Sequence, residues 1–175
     1  MTEKSIALGV CGSVAAIEAP KIAREFRRRG VEVYGVMSPA AQKIIHPDVL
    51  QWASEHGVVT ELTGNVEHVK LLGVDGICDL LLICPATANT ISKIACGIDD
   101  TPVTTMASTA IGSKRRVVVA PAMHASMYEN PFVAENIEKL KSRGVRVIEP
   151  RFEGNKAKLA PVDEIVTEVV EMLDK

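Results

Sequence analysis

Aromatic side chains are scarce in this chain: one Trp, two Tyr and three Phe make up 3% of its 175 residues. That is too few for a platform on which single-stranded nucleic acid could stack. Neither sign of charge is in excess, because 20 basic residues face 22 acidic ones for a formal net charge of −2. The balance points to no polyanion partner. Cys11, Cys78, Cys84 and Cys96 form no C-x-x-C pair and read as small buried hydrophobes of a reducing compartment. No His/Cys/Asp cluster has metal-ligand spacing, so no metal is expected. No apolar run approaches the roughly 18 residues of a membrane span. The first five residues lead straight into an apolar run without a signal peptide, so a cytoplasmic setting is expected. Also missing are G-x-G-x-x-G, the P-loop and G-x-S-x-G, which leaves a dinucleotide fingerprint, a phosphate-cradling P-loop and a serine hydrolase without support.

What is present is aliphatic. The hydrophobic fraction is 47%, and the length suits one domain, 1–175, with a sizeable core. Short apolar runs at 6–10, 31–37, 79–84, 117–120 and 145–148 read as buried strands. Between them lie helical patterns. Residues 14–29 carry apolar side chains at helical spacing, with Arg27, Arg28 and Arg29 as a solvated last turn and Gly30 as the stop. Shorter helices are expected at 40–44, 47–54 and 91–96. Asp99-Asp100-Thr101-Pro102 and Asn130-Pro131 start two more, and Pro161 starts the last, to Leu173. Residues 57–76 show no clear element, and residues 149–160 read as a polar loop. The alternation of strand and helix predicts an α/β fold. Its expected form is a doubly wound open parallel sheet, Rossmann- or flavodoxin-like, in three layers.

In such a sheet, ligands bind beyond the carboxyl ends of the strands. Three of those ends consist of small residues: Cys11-Gly12-Ser13-Val14-Ala15, Pro85-Ala86-Thr87-Ala88-Asn89-Thr90 and Ala120-Pro121-Ala122-Met123-His124. They offer free backbone N–H groups to a flat, polar-edged ligand and are read as one site. Gly12 would let the backbone approach a ligand closely, and Ser13 can both cap a helix and meet a phosphate. Ser38 falls at the same end of the sheet. His68, beside Glu67 in the irregular segment, is the candidate acid or base. His124 follows a strand end and should point near the ligand. His46 and His56 read as surface histidines.

Gly12-Ser13-Val14-Ala15-Ala16, Glu67-His68-Val69, Pro85-Ala86-Thr87-Ala88-Asn89-Thr90 and Pro121-Ala122-Met123-His124-Ala125-Ser126-Met127-Tyr128 occur in that order. Together they resemble the homo-oligomeric flavin-containing cysteine decarboxylases over about residues 5–150. The resemblance implies one FMN per subunit, held between subunits of a trimer or a multiple of trimers. It assigns cofactor binding to Gly12, Ser13, Val14, Ser38, Pro85, Ala86, Thr87, Asn89, Thr105, Ala122 and Met123, and catalysis to His68, His124 and Asn89. The implied activity is decarboxylation of 4′-phosphopantothenoyl-cysteine to 4′-phosphopantetheine in coenzyme A biosynthesis. An FMN electron carrier of the same fold is the alternative, and a flavin prenyltransferase a more distant one. The family's bifunctional members continue into a synthetase domain, which leaves a separate synthetase as a candidate partner. Two departures from the family pattern stand out. His124 replaces an Asn that contacts the substrate carboxylate, and residues 153–160 lack the cysteine that relatives carry in a mobile loop.

Overall fold

The computed structural model describes residues 4–175; the expectation about the first three residues lies outside them. Five parallel strands form the main sheet: β1 (Lys4–Val10), β2 (Val31–Met37), β3 (Leu80–Ala86), β4 (Arg116–Pro121) and the two-residue β6 (Arg146–Val147). Their order is β2-β1-β3-β4-β6, so the direction of winding reverses between β1 and β3. All seven residues of β3 are buried, which explains its unbroken apolar sequence: a central parallel strand is covered on both faces.

Alternate residues of the strands feed two separate cores. On one face Ile6, Leu8, Leu80 and Leu82 pack against α1 (Ala19–Arg28), α2 (Pro47–Ser54) and α8 (Val162–Leu173). On the other, Ala7, Leu81 and Ile83 pack against α3 (Glu67–Leu72), α4 (Ala88–Cys96), α5 (Pro102–Gly112) and α7 (Pro131–Ser142). The expected three-layer, doubly wound architecture is therefore observed. Local chemistry sets the helix starts. The Thr101 hydroxyl accepts the Thr104 N–H at 3.1 Å while Thr104 reciprocates, and Pro102 occupies the first turn of α5. The Asn130 side chain accepts the Phe132 N–H at 3.0 Å at the start of α7.

Several expectations are corrected. Residues 14–29 are not one α-helix: Val14–Glu18 is a 3-10 helix, and α1 begins at Ala19 with Pro20 in its first turn. The expected helix at 40–44 is a 3-10 turn, Ala41–Lys43. The segment 57–76 contains α3. The polar loop 149–160 contains a hairpin, β7 (Arg151–Glu153) and β8 (Lys156–Lys158), which pairs with β5 (Met123–His124) in a small antiparallel sheet. A one-turn helix, α6 (Ala125–Tyr128), follows β5. Arg27 is not a solvated helix end, because its guanidinium bridges Glu32 and Glu55. His56 is not a free surface group either: its Nε2 lies 2.6 Å from Glu32 and its ring stacks on Tyr34.

Candidate functional site

The backbone stitches the strand ends together at the point where the winding reverses. The Cys11 N–H donates to the Pro85 carbonyl (3.2 Å), the Ala122 N–H to the Ala86 carbonyl (3.0 Å), and the Ser38 N–H to the Val10 carbonyl (3.0 Å). Four strand ends thus form one continuous edge, where an open α/β sheet places its ligand. The close approach permitted by Gly12 is, however, to the protein itself. A Cβ at residue 12 would lie 2.5 Å from the Ala40 Cβ, so Gly12 lets the turn after β2 close against the turn after β1. Packing against Ala40 is thus a reason, independent of any ligand, for residue 12 to lack a side chain.

At the first turn, the Ser13 N–H bonds the Cys11 carbonyl and the Ala15 N–H bonds Ser13 Oγ. The N–H groups of Gly12 and Val14 find no acceptor among the described residues. Unpaired donors at the start of a helical segment suit an anion. Ser38 is buried, and its hydroxyl accepts the Ala41 N–H at 3.2 Å, so it shapes the neighbouring turn. Thr87 caps α4 by accepting the Thr90 N–H at 3.2 Å, while Pro85 and Ala86 are buried in β3 and Asn89 is exposed in the first turn of α4. Beneath them, burial pushes the Cys11 thiol up to about 11, against the opposing effect of hydrogen bonds from Thr90 and the Thr87 backbone. Cys11 is a neutral packing group at neutral pH.

A cavity of about 1100 Å³ opens beside this edge. One wall is the outer stripe of the first helical segment, Val14, Ile17, Lys21, Glu25 and Arg28; the other is the small antiparallel sheet with the start of α8. Ser13, Ala122, Met123 and His124 line the end nearest the strand termini. In the small sheet, Arg151 pairs with Lys158, Glu153 with Lys156, and Lys156 with His124. Alternation puts these five polar side chains on one face and Met123, Phe152 and Ala157 on the other. Tyr128 secures the base of this unit. Its hydroxyl donates to Glu149 at 2.6 Å, and its ring meets Phe152 edge-on at 5.4 Å. Burial first, then the Glu149 carboxylate, pushes the Tyr128 hydroxyl well above its usual range.

Of the residues singled out in the sequence, Ser13, Val14, Ala122, Met123 and His124 therefore meet at one cavity. Ser38, Pro85, Ala86, Thr87 and Asn89 belong to the adjoining strand-end edge without lining the cavity. Thr105 sits in α5, where its hydroxyl donates to Asp99. His68 is in the first turn of α3, on the opposite face of the sheet from α1 and α8, with its Nδ1 buried and without a hydrogen-bond partner among the described residues. Glu67 beside it is held at about 2 by hydrogen bonds from Thr63. The sequence reading missed the wall formed by Ile17, Lys21 and Arg151. The signal lay in the spacing of Val14, Ile17, Lys21, Glu25 and Arg28, which is one helical face left over after the core-facing stripe is assigned.

The Flavoprotein family profile matches residues 1–174. A Thermococcus kodakarensis protein named coenzyme A biosynthesis bifunctional protein CoaBC is 57% identical over 171 residues, 97% of this chain and 42% of its own length. The Methanocaldococcus jannaschii CoaBC is 40% identical over 174 residues, again with 42% of its length matched; the chain thus spans about two fifths of these relatives. A probable phosphopantothenoylcysteine decarboxylase of Streptococcus mutans is 33% identical over 181 residues, 97% of this chain and 99% of its own. Among solved structures, the FMN-dependent cysteine decarboxylase SpaF superposes with a TM-score of 0.86 at 29% identity, covering 99% of both chains. A PPC decarboxylase mutant complexed with pantothenoylaminoethenethiol shares the fold, with a TM-score of 0.84 at 23% identity over 99% of this chain and 100% of the other. A match along nearly the whole chain, on a sheet whose stitched strand ends sit at the winding reversal, establishes that this protein belongs to the flavoprotein family.

Proposed function

We propose that this chain is an FMN-dependent decarboxylase acting on 4′-phosphopantothenoyl-cysteine in coenzyme A biosynthesis. The observation that carries the reading is the stitched strand-end edge opening onto the cavity lined by Met123 and His124. The unpaired N–H groups of Gly12 and Val14, with the Ser13 hydroxyl, fit the phosphate of FMN. The small side chains of residues 85–88 and 120–122 leave room for a flat ring system, and Asn89 and Thr87 supply polar edges. When bound, FMN supplies two-electron redox chemistry at the substrate's cysteine moiety, which makes loss of CO₂ accessible.

The remaining tasks fall to the protein. His124 reaches into the cavity from β5 and donates a hydrogen bond to the substrate carboxylate. Its Nδ1 is engaged by Ser126 at 2.9 Å, which orients the ring and leaves Nε2 for the ligand. The cationic side chains of the small sheet attract a phosphorylated substrate. His68 moves a proton at its ring. Because His68 lies across the sheet from the cavity, the working site draws it from a second copy of the chain, in a trimer or a multiple of trimers. The exposed apolar residues Val66 and Val69 beside His68, and Val14 and Ile17 at the cavity, are the surfaces such an assembly would cover. A cytoplasmic setting and a synthetase acting in the preceding step complete the reading.

The test is an anaerobic reaction of the FMN-loaded protein with 4′-phosphopantothenoyl-cysteine, following CO₂ and product mass. Release of CO₂ with 4′-phosphopantetheine supports the assignment. Intact, reducible flavin without CO₂ release would refute it and favour the electron carrier.

A further inference from the structure

We propose that a second cavity, at the amino edge of the sheet, is a binding site for an anion carrying two or more phosphate groups. The cavity measures about 330 Å³ and lies at the start of β4, between the ends of α5 and α7. Lys114, Arg115, Arg116 and Arg143 line it together with apolar residues and Gly144, and no carboxylate does. β4 separates it from the strand-end edge by its own length, roughly 15–20 Å. It is therefore a different site from the one described above.

The four cations lack acidic partners. None of them takes part in an ion pair among the described residues, although lysines and arginines elsewhere in the chain are paired many times over. Two are held in place by neutral main-chain acceptors. Arg115 donates to the carbonyls of Gly73, Val74 and Gly76, and Arg116 donates to that of Met172. Both keep their full charge while their conformations are restrained. Asp75 lies in the turn that Arg115 clasps but forms no ion pair with it. The side chains of Lys114 and Arg143 have no hydrogen-bond partner among the described residues. Lys114 also holds a left-handed backbone conformation, φ 58°, where glycine would be the relaxed choice.

Cations at helix ends also have a simpler role, and magnitude separates the two. The carboxyl ends of α5 and α7, with those of α3 and α8 that Arg115 and Arg116 reach through Gly73 and Met172, present about half a negative charge each. Together they offset about two of the four positive charges, and about two remain. A single monoanion would leave about one of those uncompensated. Arg143 can bind phosphate oxygens in pairs through its planar fork, Lys114 adds a mobile point charge, and Arg115 and Arg116, whose N–H groups already meet carbonyls, contribute fixed charge. A diphosphate or triphosphate group matches that charge.

The test is isothermal titration of inorganic tripolyphosphate into the full chain at low salt. Three proteins are compared: the parent, Lys114→Ala/Arg143→Ala, and Lys156→Ala/Lys158→Ala, which lowers the charge of the larger cavity instead. Thermal melting of each confirms folding. The expected result is saturable binding by the parent, weakened at least about tenfold by the first pair of substitutions and little changed by the second, since charge-assisted contacts dominate. Added salt should weaken it steeply. No saturable binding by the parent overturns the proposal. Equal binding by Lys114→Ala/Arg143→Ala, or loss only in Lys156→Ala/Lys158→Ala, overturns it as well.

Discussion

His124 stands directly opposite Lys156 in the pairing of β5 with β8. Residues so paired have Cβ atoms about 4.5–5.5 Å apart on the same face. Both line the larger cavity, so the two side chains meet a ligand together. Replacing either by Ala is expected to lower kcat/KM for the phosphorylated substrate about 10-fold or more, with flavin absorbance retained. Groups sharing one ligand are coupled, so the double variant should lose less than the product of the two single losses. Strict multiplicativity in that cycle would show that they act separately.

Gly12→Ala should lower both stability and flavin affinity. The new methyl would meet the Ala40 Cβ at 2.5 Å, and neither neighbour is a flexible side chain that could swing away. Overpacking of this kind costs about 1–3 kcal/mol. The turns after β1 and β2 must then separate, which displaces the N–H groups at Val14. A melting curve and a flavin titration measure the two effects. Ala40→Gly in the same chain should restore both; restoration of stability alone would separate the turn from cofactor binding.

Glu32 makes stability depend on acid. Its carboxylate accepts from His56 and from Arg27, and these partners hold it below its ordinary value of 4.5, with the His56 hydrogen bond the largest cause. A carboxyl group depressed in the folded state stabilises above its unfolded value, and that contribution is lost as pH falls through the lower folded value. Chemical denaturation between pH 7 and pH 3 should therefore show stability falling below about pH 4.5. Glu32→Gln should cost about 1–3 kcal/mol at neutral pH and flatten the acid limb. An unchanged acid limb would place the dependence on other carboxylates.

Tyr128→Phe removes one hydroxyl and keeps the ring against Phe152. The lost bond to Glu149 is expected to cost about 1 kcal/mol. The more telling readout is limited trypsin digestion, because Lys156 and Lys158 lie in the hairpin that Tyr128 secures. Cleavage there should accelerate in the variant. Unchanged cleavage would mean that the β5–β8 pairing alone fixes the hairpin.

Much of this architecture is legible in the order of residues. The strands covered on both faces announce themselves as unbroken aliphatic runs, and α2, α5, α7 and α8 carry Pro or an N-cap at their starts. α3 is short, and its N-cap is Val66 in a left-handed conformation with no side-chain cap, so neither periodicity nor capping chemistry marks it. The hairpin did leave a signal. Gly154-Asn155 is a two-residue turn between alternating segments, but the exposed face of that small sheet is so polar that the stretch reads as loop. The strand-end site was visible because small residues cluster at corresponding positions of different strands. What one chain's sequence does not encode in an obvious way is that His68 and His124, the two histidines of interest, lie on different sides of the sheet. A right-handed crossover puts its helix on one face or the other according to the direction in which the chain moves along the sheet, and only the folded order of strands shows that direction.

The distribution of sulfur has a practical consequence. Cys11, Cys78 and Cys84 are buried, while Cys96 is exposed at the end of α4. Burial also raises the first two thiols to about 11 and about 12, so neither offers thiolate to a reagent at neutral pH. An alkylating reagent should modify one site at once and the other three only when the sheet opens. The chain thus carries its own clock: the interval between the first mass increment and the next reports how often the core is breached, without any label having been introduced.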